Sequence, residues 1–141
     1  MEEGWTFKTA TVRRDLNRLL AAHNLDASLL CIVPSVHQAT LSEGLRSDRE
    51  RVARTIWDEV GGKRIPRKIM LRETVSQGDV DGSSVVMHLR YEVYLRLRER
   101  PELFAKHTVL HEIAHLLGID DEADADRWAF EQLANLGELA E

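Results

Sequence analysis

The residues best suited to chemistry form one short run, residues 111–118, which reads His-Glu-Ile-Ala-His-Leu-Leu-Gly. In a helix, His111 and His115 lie one turn apart on the same face, so both imidazoles can reach one metal ion. Glu112 lies next to the first ligand, where its carboxylate can accept a proton from a water molecule on that ion. Gly118 then ends the helix. The run predicts a hydrolase site with Zn²⁺ as its cofactor and Glu112 as its catalytic base.

A catalytic zinc ion takes three protein ligands and leaves one position open for water. Three carboxylates after the run compete for the third position: Asp121, Glu122 and Asp124. Asp121 can face the ion if Gly118 takes a left-handed conformation and the chain doubles back. Glu122 is the alternative. Asp126, one helical turn later, would then orient a ligand histidine without binding the metal itself. We take Asp121 as the predicted ligand and keep Glu122 open.

Residues 107–122 resemble the active-site segment of the zincin metallopeptidases. Their pattern, His-Glu-x-x-His-x-x-Gly-x-x-Asp, is similar to metzincin-like sites with an aspartate as third ligand, including small bacterial predicted zincins of about this length. The resemblance implies that His111, His115 and Asp121 bind zinc and that Glu112 is the general base. It covers about the last quarter of the chain.

Two features leave the branch of this family open. Metzincins carry a methionine turn after the third ligand, whereas every methionine of this chain precedes the site. Residues 122–129 resemble the glutamate helix of gluzincins instead, which would make Glu122 the ligand. The ligand spacing is also similar to that of YbeY-like endoribonucleases, which have histidine in place of Asp121 and glycine in place of Glu112.

We therefore predict a zinc-dependent metallopeptidase that acts on a peptide or protein substrate. The alternatives are a YbeY-like metal-dependent endoribonuclease and a non-catalytic metal-binding interaction module. Candidate oxyanion donors, by proximity in sequence, are Tyr91, Tyr94 and the arginines after them. His88, on a predicted strand before the site helix, is a candidate substrate contact.

The net charge of −5 conceals two segments of opposite sign. Residues 46–72 carry nine Lys or Arg against four acids, and residues 112–141 carry nine acids against Arg127 alone. The simplest interpretation is two solvated faces that attract each other. A sharper one gives the basic stretch an anionic partner and the acidic end a cation. A nucleic acid partner stays open, although a peptide is favoured.

The composition, 43% hydrophobic and 30% charged, is that of an ordinary soluble globular protein. Without repeats or linkers, 141 residues predict a single domain over residues 1–141. One cysteine, Cys31, excludes an internal disulfide framework. The acidic start of the chain and its short apolar runs predict neither a signal peptide nor a membrane span. We expect a cytoplasmic protein, and its oligomeric state stays open.

Hydrophobic periodicity predicts the order helix, strand, helix, strand, strand, helix, helix. The expected ranges are 9–24, 28–34, 48–60, 68–75, 83–90, 103–117 and 121–136, and 91–100 fits either type. Ser47 or Asp48 would cap the helix over 48–60, Gly61-Gly62 would end it, and Asp120 would cap the last helix. This order predicts an α+β fold. We expect one zincin-like domain, with a small mixed or antiparallel sheet backed by helices and a C-terminal helix after the active-site helix.

Overall fold

The computed structural model describes residues 4–82 and 91–139. The strands are β1 (Thr6–Lys8), β2 (Leu30–Val33), β3 (Ala53–Val60), β4 (Lys63–Arg72) and β5 (Thr74–Ser76). The helices are α1 (Arg13–Ala22), α2 (Val36–Ser42), α3 (Gln77–Asp81), α4 (Tyr91–Glu99), α5 (Pro101–Leu116) and α6 (Glu122–Asn135). The strand predicted over 83–90, and His88 with it, lies outside the described residues.

The larger sheet is mixed, with strand order β2-β4-β3. Strand β2 runs parallel to β4 and β3 runs antiparallel to it, while β1 and β5 form a separate antiparallel pair. One apolar core joins α1, the sheet and α5, with Leu16, Ile69, Leu71, Leu103 and Leu110 among its fully buried members. The predicted α+β class, a small mixed sheet backed by helices, is confirmed.

Most predicted elements occur with shifted bounds. The helix expected over 9–24 begins as a 3₁₀ turn, Thr9–Val12, and continues as α1. The ambiguous segment 91–100 is helical, as α4. The strand expected over 68–75 starts earlier, at Lys63, because it pairs with the strand before it. Within the described residues, no helix is both long and apolar enough to cross a membrane.

The helix predicted over residues 48–60 is wrong, because residues 53–60 form β3. Gly61 and Gly62 both have positive φ, 59° and 81°, and connect Val60 to its partner Lys63. Two consecutive glycines with positive φ make the two-residue turn that matches the twist of a hairpin. The Gly-Gly pair that suggests a helix end is therefore a hairpin turn, and β4 supplies the partner that a strand needs.

Helix α5, which carries the predicted site, is buried along most of its length. Pro101 occupies its first turn, where its missing N–H removes no helical hydrogen bond. Gly118, with φ of 96°, ends it as predicted. The N–H of Gly118 bonds to the carbonyl of His115 at 3.1 Å, and that of Ile119 to the carbonyl of Ala114 at 3.0 Å. This pair of hydrogen bonds is a Schellman motif, which turns the chain back toward the helix.

Helix α6 packs against α5 and begins four residues after Gly118. Ala125, Ala129 and Leu133 are buried in the contact, as their spacing predicts. The predicted cap, Asp120, is wrong by one residue. Asp121 is the N-cap, and its carboxylate accepts a hydrogen bond of 2.9 Å from the N–H of Asp124. The start of α6 therefore lies beside the last turn of α5.

Candidate metal centre

Helix α5 carries His111 and His115 at a cleft, and the first turn of α6 brings Glu122 to them. The Nε2 atom of His111 lies 3.1 Å from Nε2 of His115 and 2.6 Å from Oε1 of Glu122. The same Glu122 oxygen lies 3.4 Å from Nε2 of His115. In the part of the chain that the structure describes, these three side chains form the group whose atoms converge closely enough to hold a metal ion.

The donor set and its spacing suit zinc. Two imidazole nitrogens and one carboxylate oxygen are a known ligand set for catalytic zinc. Around a tetrahedral zinc ion with bonds of about 2.0–2.1 Å, neighbouring ligand atoms are about 3.3 Å apart. The three distances here run from 2.6 to 3.4 Å. These side chains therefore need little movement to hold such an ion.

The other nitrogen of each imidazole is already hydrogen bonded. Nδ1 of His111 lies 2.7 Å from Oδ1 of Asp126, as the sequence predicts for a residue that orients a ligand. Nδ1 of His115 lies 2.8 Å from the carbonyl oxygen of Ile119, in the turn after Gly118. Because both partners are acceptors, Nδ1 of each ring donates, and Nε2 is the ring atom that faces the site and would bind a metal ion.

Asp126 also binds a second histidine, deep in the contact between α5 and α6. Nε2 of His107 lies 3.2 Å from Oδ1 of Asp126, and both side chains are 2% exposed. Burial lowers the pKa of His107, so this ring is neutral. Burial alone would raise the pKa of Asp126, but the hydrogen bonds from the two histidines hold it far below its usual range. Asp126 is therefore a charged acceptor held between two imidazoles.

Without a metal ion, the site favours a proton. Burial lowers the pKa of His111, but the hydrogen bond to Asp126 and the neighbouring carboxylates outweigh it and raise the pKa to about 9. Those carboxylates would stabilise a divalent cation by the same attraction.

Glu112, the predicted base, is held by a residue from the sheet. The hydroxyl of Thr55, on β3, donates to Oε1 of Glu112 at 2.8 Å. Thr55 is 7% exposed, whereas the Glu112 side chain borders the cleft. The hydroxyl therefore fixes one oxygen of the carboxylate that the sequence predicts to be the base.

Arg64, on β4, holds the end of α5. Its guanidinium donates to the carbonyl oxygen of His115 and lies 2.8 Å from a carboxylate oxygen of Asp120. It also stacks over the ring of Trp57, with 4.5 Å between Cζ and the ring centroid. A cation at a helix C-terminus interacts favourably with the helix dipole. Arg64 thus ties the sheet to the turn that positions His115 and α6.

The predicted third ligand, Asp121, lies differently from what the sequence suggests. Its carboxylate caps α6 through the N–H of Asp124, and it is not part of the converging group. Glu122, the alternative, occupies that position. Asp124, the third candidate, forms an ion pair with Arg127 on the same helix. In this geometry Glu122 and not Asp121 lies with the two histidines, and the choice of ligand stays a prediction.

The site opens into a broad cleft of about 1410 Å³. Its lining includes the metal-site residues of α5 and α6 and residues 44–52, which we call the arginine loop. Tyr91 and Tyr94, the candidate oxyanion donors, are not among the described residues that line it. The Tyr94 hydroxyl donates to Asp81, which also accepts from Arg98 at 2.9 Å. Tyr94 and Arg98 therefore join α4 to α3.

The sequence does not predict the contacts that Thr55 and Arg64 make at the site. Both contact α5 from more than 50 positions away in the chain. The signal for Thr55 was present in the β-branched and aromatic run Thr55-Ile56-Trp57, followed by Gly61-Gly62, which is typical of a hairpin. For Arg64 no sequence signal distinguishes it from the other basic residues of 46–72.

Comparison with known protein families, characterised proteins and solved structures found no match for this chain.

Proposed function

We propose that this chain is a zinc-dependent metallopeptidase with His111, His115 and Glu122 as zinc ligands and Glu112 as general base. The observation that supports this most is the convergence of two imidazole nitrogens and one carboxylate oxygen, 2.6–3.4 Å apart, with a second carboxylate, that of Glu112, next to His111 in the chain. Action in the cytoplasm is part of the proposal, because a single cysteine is common in proteins of reducing compartments.

Zinc at this site would acidify a water molecule toward neutral pH and polarise the substrate carbonyl. Glu112 accepts the proton of the attacking water on the carboxylate oxygen that Thr55 does not hold. It then passes this proton to the leaving amine. Asp126 and the Ile119 carbonyl keep the imidazoles in the orientation that binding requires.

An extended peptide fits the surroundings of Glu112. Strand β3 is an edge strand in the described part of the chain, because the order is β2-β4-β3. An edge strand offers main-chain donors and acceptors to which a peptide can add. Thr55 lies on this strand and touches Glu112, so a peptide bound along the edge would pass the catalytic carboxylate.

A metal-dependent nuclease is the second candidate, and the arginine loop favours it. Two acids in the lining of the cleft argue against it, because Asp120 and Glu122 are exposed, with side chains 69% and 59% accessible. A nucleic acid carries a negative charge at every nucleotide and would be repelled by these carboxylates. We therefore rank this function below the peptidase.

Hydrolysis of a randomised peptide library tests the proposal. We expect the zinc-loaded chain to cleave library members and the zinc-loaded Glu112→Gln variant to lose about 100-fold or more of that activity, because general base catalysis contributes roughly 10²–10⁴-fold. The two proteins should bind equal amounts of zinc. Full zinc binding without cleavage of any peptide would instead support a non-catalytic metal-binding module.

A further inference from the structure

The arginine loop is fixed at its base by hydrogen bonds. Glu50 accepts from the hydroxyl of Ser35 at 2.6 Å and from the N–H of His37 at 2.9 Å, at the start of α2. Ser47 bonds to Nδ1 of His37 at 2.7 Å. Arg54 donates to the carbonyl oxygen of Arg46 at 2.7 Å. The main chain of the loop is therefore held against α2 and β3.

The side chains of two arginines in the loop take no part in this hydrogen-bond network. Arg46 and Arg49 are exposed and line the cleft, and their guanidinium groups have no hydrogen-bond or ion-pair partner in the described residues. The two acids of the loop form no ion pair with either of these arginines. Glu50 is bonded to Ser35 and to backbone N–H groups, and Asp48 is 3.8 Å from Arg51. A fixed loop thus presents two free cations to the cleft.

These cations lie within reach of a substrate in the site. The loop leads directly into β3, and Thr55 on that strand touches Glu112. Arg49 precedes Thr55 by six residues, a span of at most about 20 Å for an extended chain. Arg46 is also held near Thr55, because its carbonyl oxygen bonds to the side chain of Arg54, the residue before Thr55. A peptide running along the cleft from Glu112 can therefore meet both arginines within about six of its own residues.

We infer that Arg46 and Arg49 select peptide substrates with acidic residues within about six positions of the cleaved bond. This inference rests on the proposed peptidase function. Guanidinium groups pair with carboxylates through charge-assisted hydrogen bonds, and Arg presents a planar donor set that matches them. A peptide can pair a short acidic segment with the arginine loop and place its neutral part beside Asp120 and Glu122. A polyphosphate is charged along its whole length and cannot do both.

Two experiments on the full chain test this inference. The first maps cut sites in a randomised peptide library and counts acidic residues near them. The second measures the binding of two labelled peptides, identical except for glutamate or glutamine, to the zinc-loaded Glu112→Gln protein, which should turn them over at least about 100-fold more slowly. Each uses the double variant Arg46→Gln/Arg49→Gln. The matched control is Arg14→Gln/Arg18→Gln, which removes the same charge from the exposed face of α1.

We expect acidic residues to be enriched near the cut sites. The glutamate peptide should bind about tenfold more tightly than its glutamine counterpart, since two exposed ion pairs of up to about 1 kcal/mol each act together. Arg46→Gln/Arg49→Gln should abolish both preferences, and the control should keep them. Equal binding of the two peptides, or a preference that survives the loop variant, would overturn the inference.

Other outcomes separate the competing explanations. If oligouridine RNA binds more tightly than the glutamate peptide and loses its binding in the loop variant, the loop recognises nucleic acid and the inference fails. If no peptide is cleaved but the glutamate preference depends on Arg46 and Arg49, the peptidase proposal fails and the assignment of the loop to acidic segments stands.

Discussion

At the scale of single residues, each proposed catalytic group has a partner that fixes its orientation. Asp126 holds His111, the Ile119 carbonyl holds His115, and Thr55 holds Glu112. Partners of this kind keep a ligand or a base within the narrow range of positions that chemistry needs. Their removal should therefore reduce turnover without destroying the site.

Replacement of Thr55 by valine tests this for the base. Valine keeps the shape but loses the hydroxyl that donates to Glu112 at 2.8 Å. We expect kcat to fall about tenfold, the equivalent of one hydrogen bond, with KM and zinc content little changed. Thr74→Val, at an exposed position of β5, is the control and should have wild-type kinetics. Loss of zinc from Thr55→Val would show that the residue supports the metal site instead of the base.

Proton release on zinc binding tests the electrostatics of His111. Its pKa of about 9 in the metal-free chain means that it is protonated at neutral pH. Zinc must displace this proton, so zinc affinity should rise by up to about tenfold per pH unit from about pH 6 to pH 8 and level off above the pKa. Calorimetry in buffers of different ionisation enthalpy should show about one proton released at neutral pH. A binding heat that is the same in all buffers would contradict the prediction.

At the scale of secondary-structure elements, the contact between α5 and α6 decides which carboxylate meets the histidines. The sequence predicts both helices and the turn at Gly118, because periodicity and a glycine stop are local signals. It does not predict the residue at which α6 starts, because Asp120, Asp121 and Glu122 are consecutive acids. A shift of one residue rotates every side chain by about 100°. Once Asp121 is the cap, Glu122 is the residue directed to the site.

The hairpin of β3 and β4 shows a second limit of the sequence. Residues 48–60 contain apolar side chains at helical spacing, and Gly61-Gly62 suits either a helix end or a hairpin turn. Only pairing with β4 decides between them, and pairing depends on residues outside the segment. As a result Thr55, which holds Glu112, could not be placed from the sequence.

Gly118→Ala tests the turn between the two helices. An added Cβ would meet no atom within 4 Å, so the cost comes from the positive φ of 96° alone. We expect the free energy of unfolding to fall by about 1–2 kcal/mol. Gly78→Ala is the matched control, because Gly78 lies in α3 without a positive φ and should lose no stability. Equal losses in the two variants, measured by chemical denaturation, would contradict this account of the turn.

At the scale of the whole molecule, the site joins segments that are far apart in sequence. Strand β3 supplies Thr55, β4 supplies Arg64, α5 supplies the histidines and α6 supplies Glu122. The arginine loop, between α2 and β3, lines the same cleft. The sequence predicts the charge of that loop but not its place, since local patterns carry no information on which surfaces meet. Basic residues of one charged segment and acidic residues of the other therefore line one cleft.

The identity of the third ligand is the central claim, and zinc stoichiometry in two neighbouring variants tests it most directly. Glu122→Ala removes the proposed ligand, and Asp121→Ala removes the cap beside it. We expect Glu122→Ala to lose more than about 100-fold in zinc affinity, since changes behind a ligand already cost 10–100-fold, and to keep its stability without metal. Asp121→Ala should bind one zinc ion per chain and lose about 1 kcal/mol of stability. One zinc ion held by Glu122→Ala with wild-type affinity, and none by Asp121→Ala, would contradict the proposed centre.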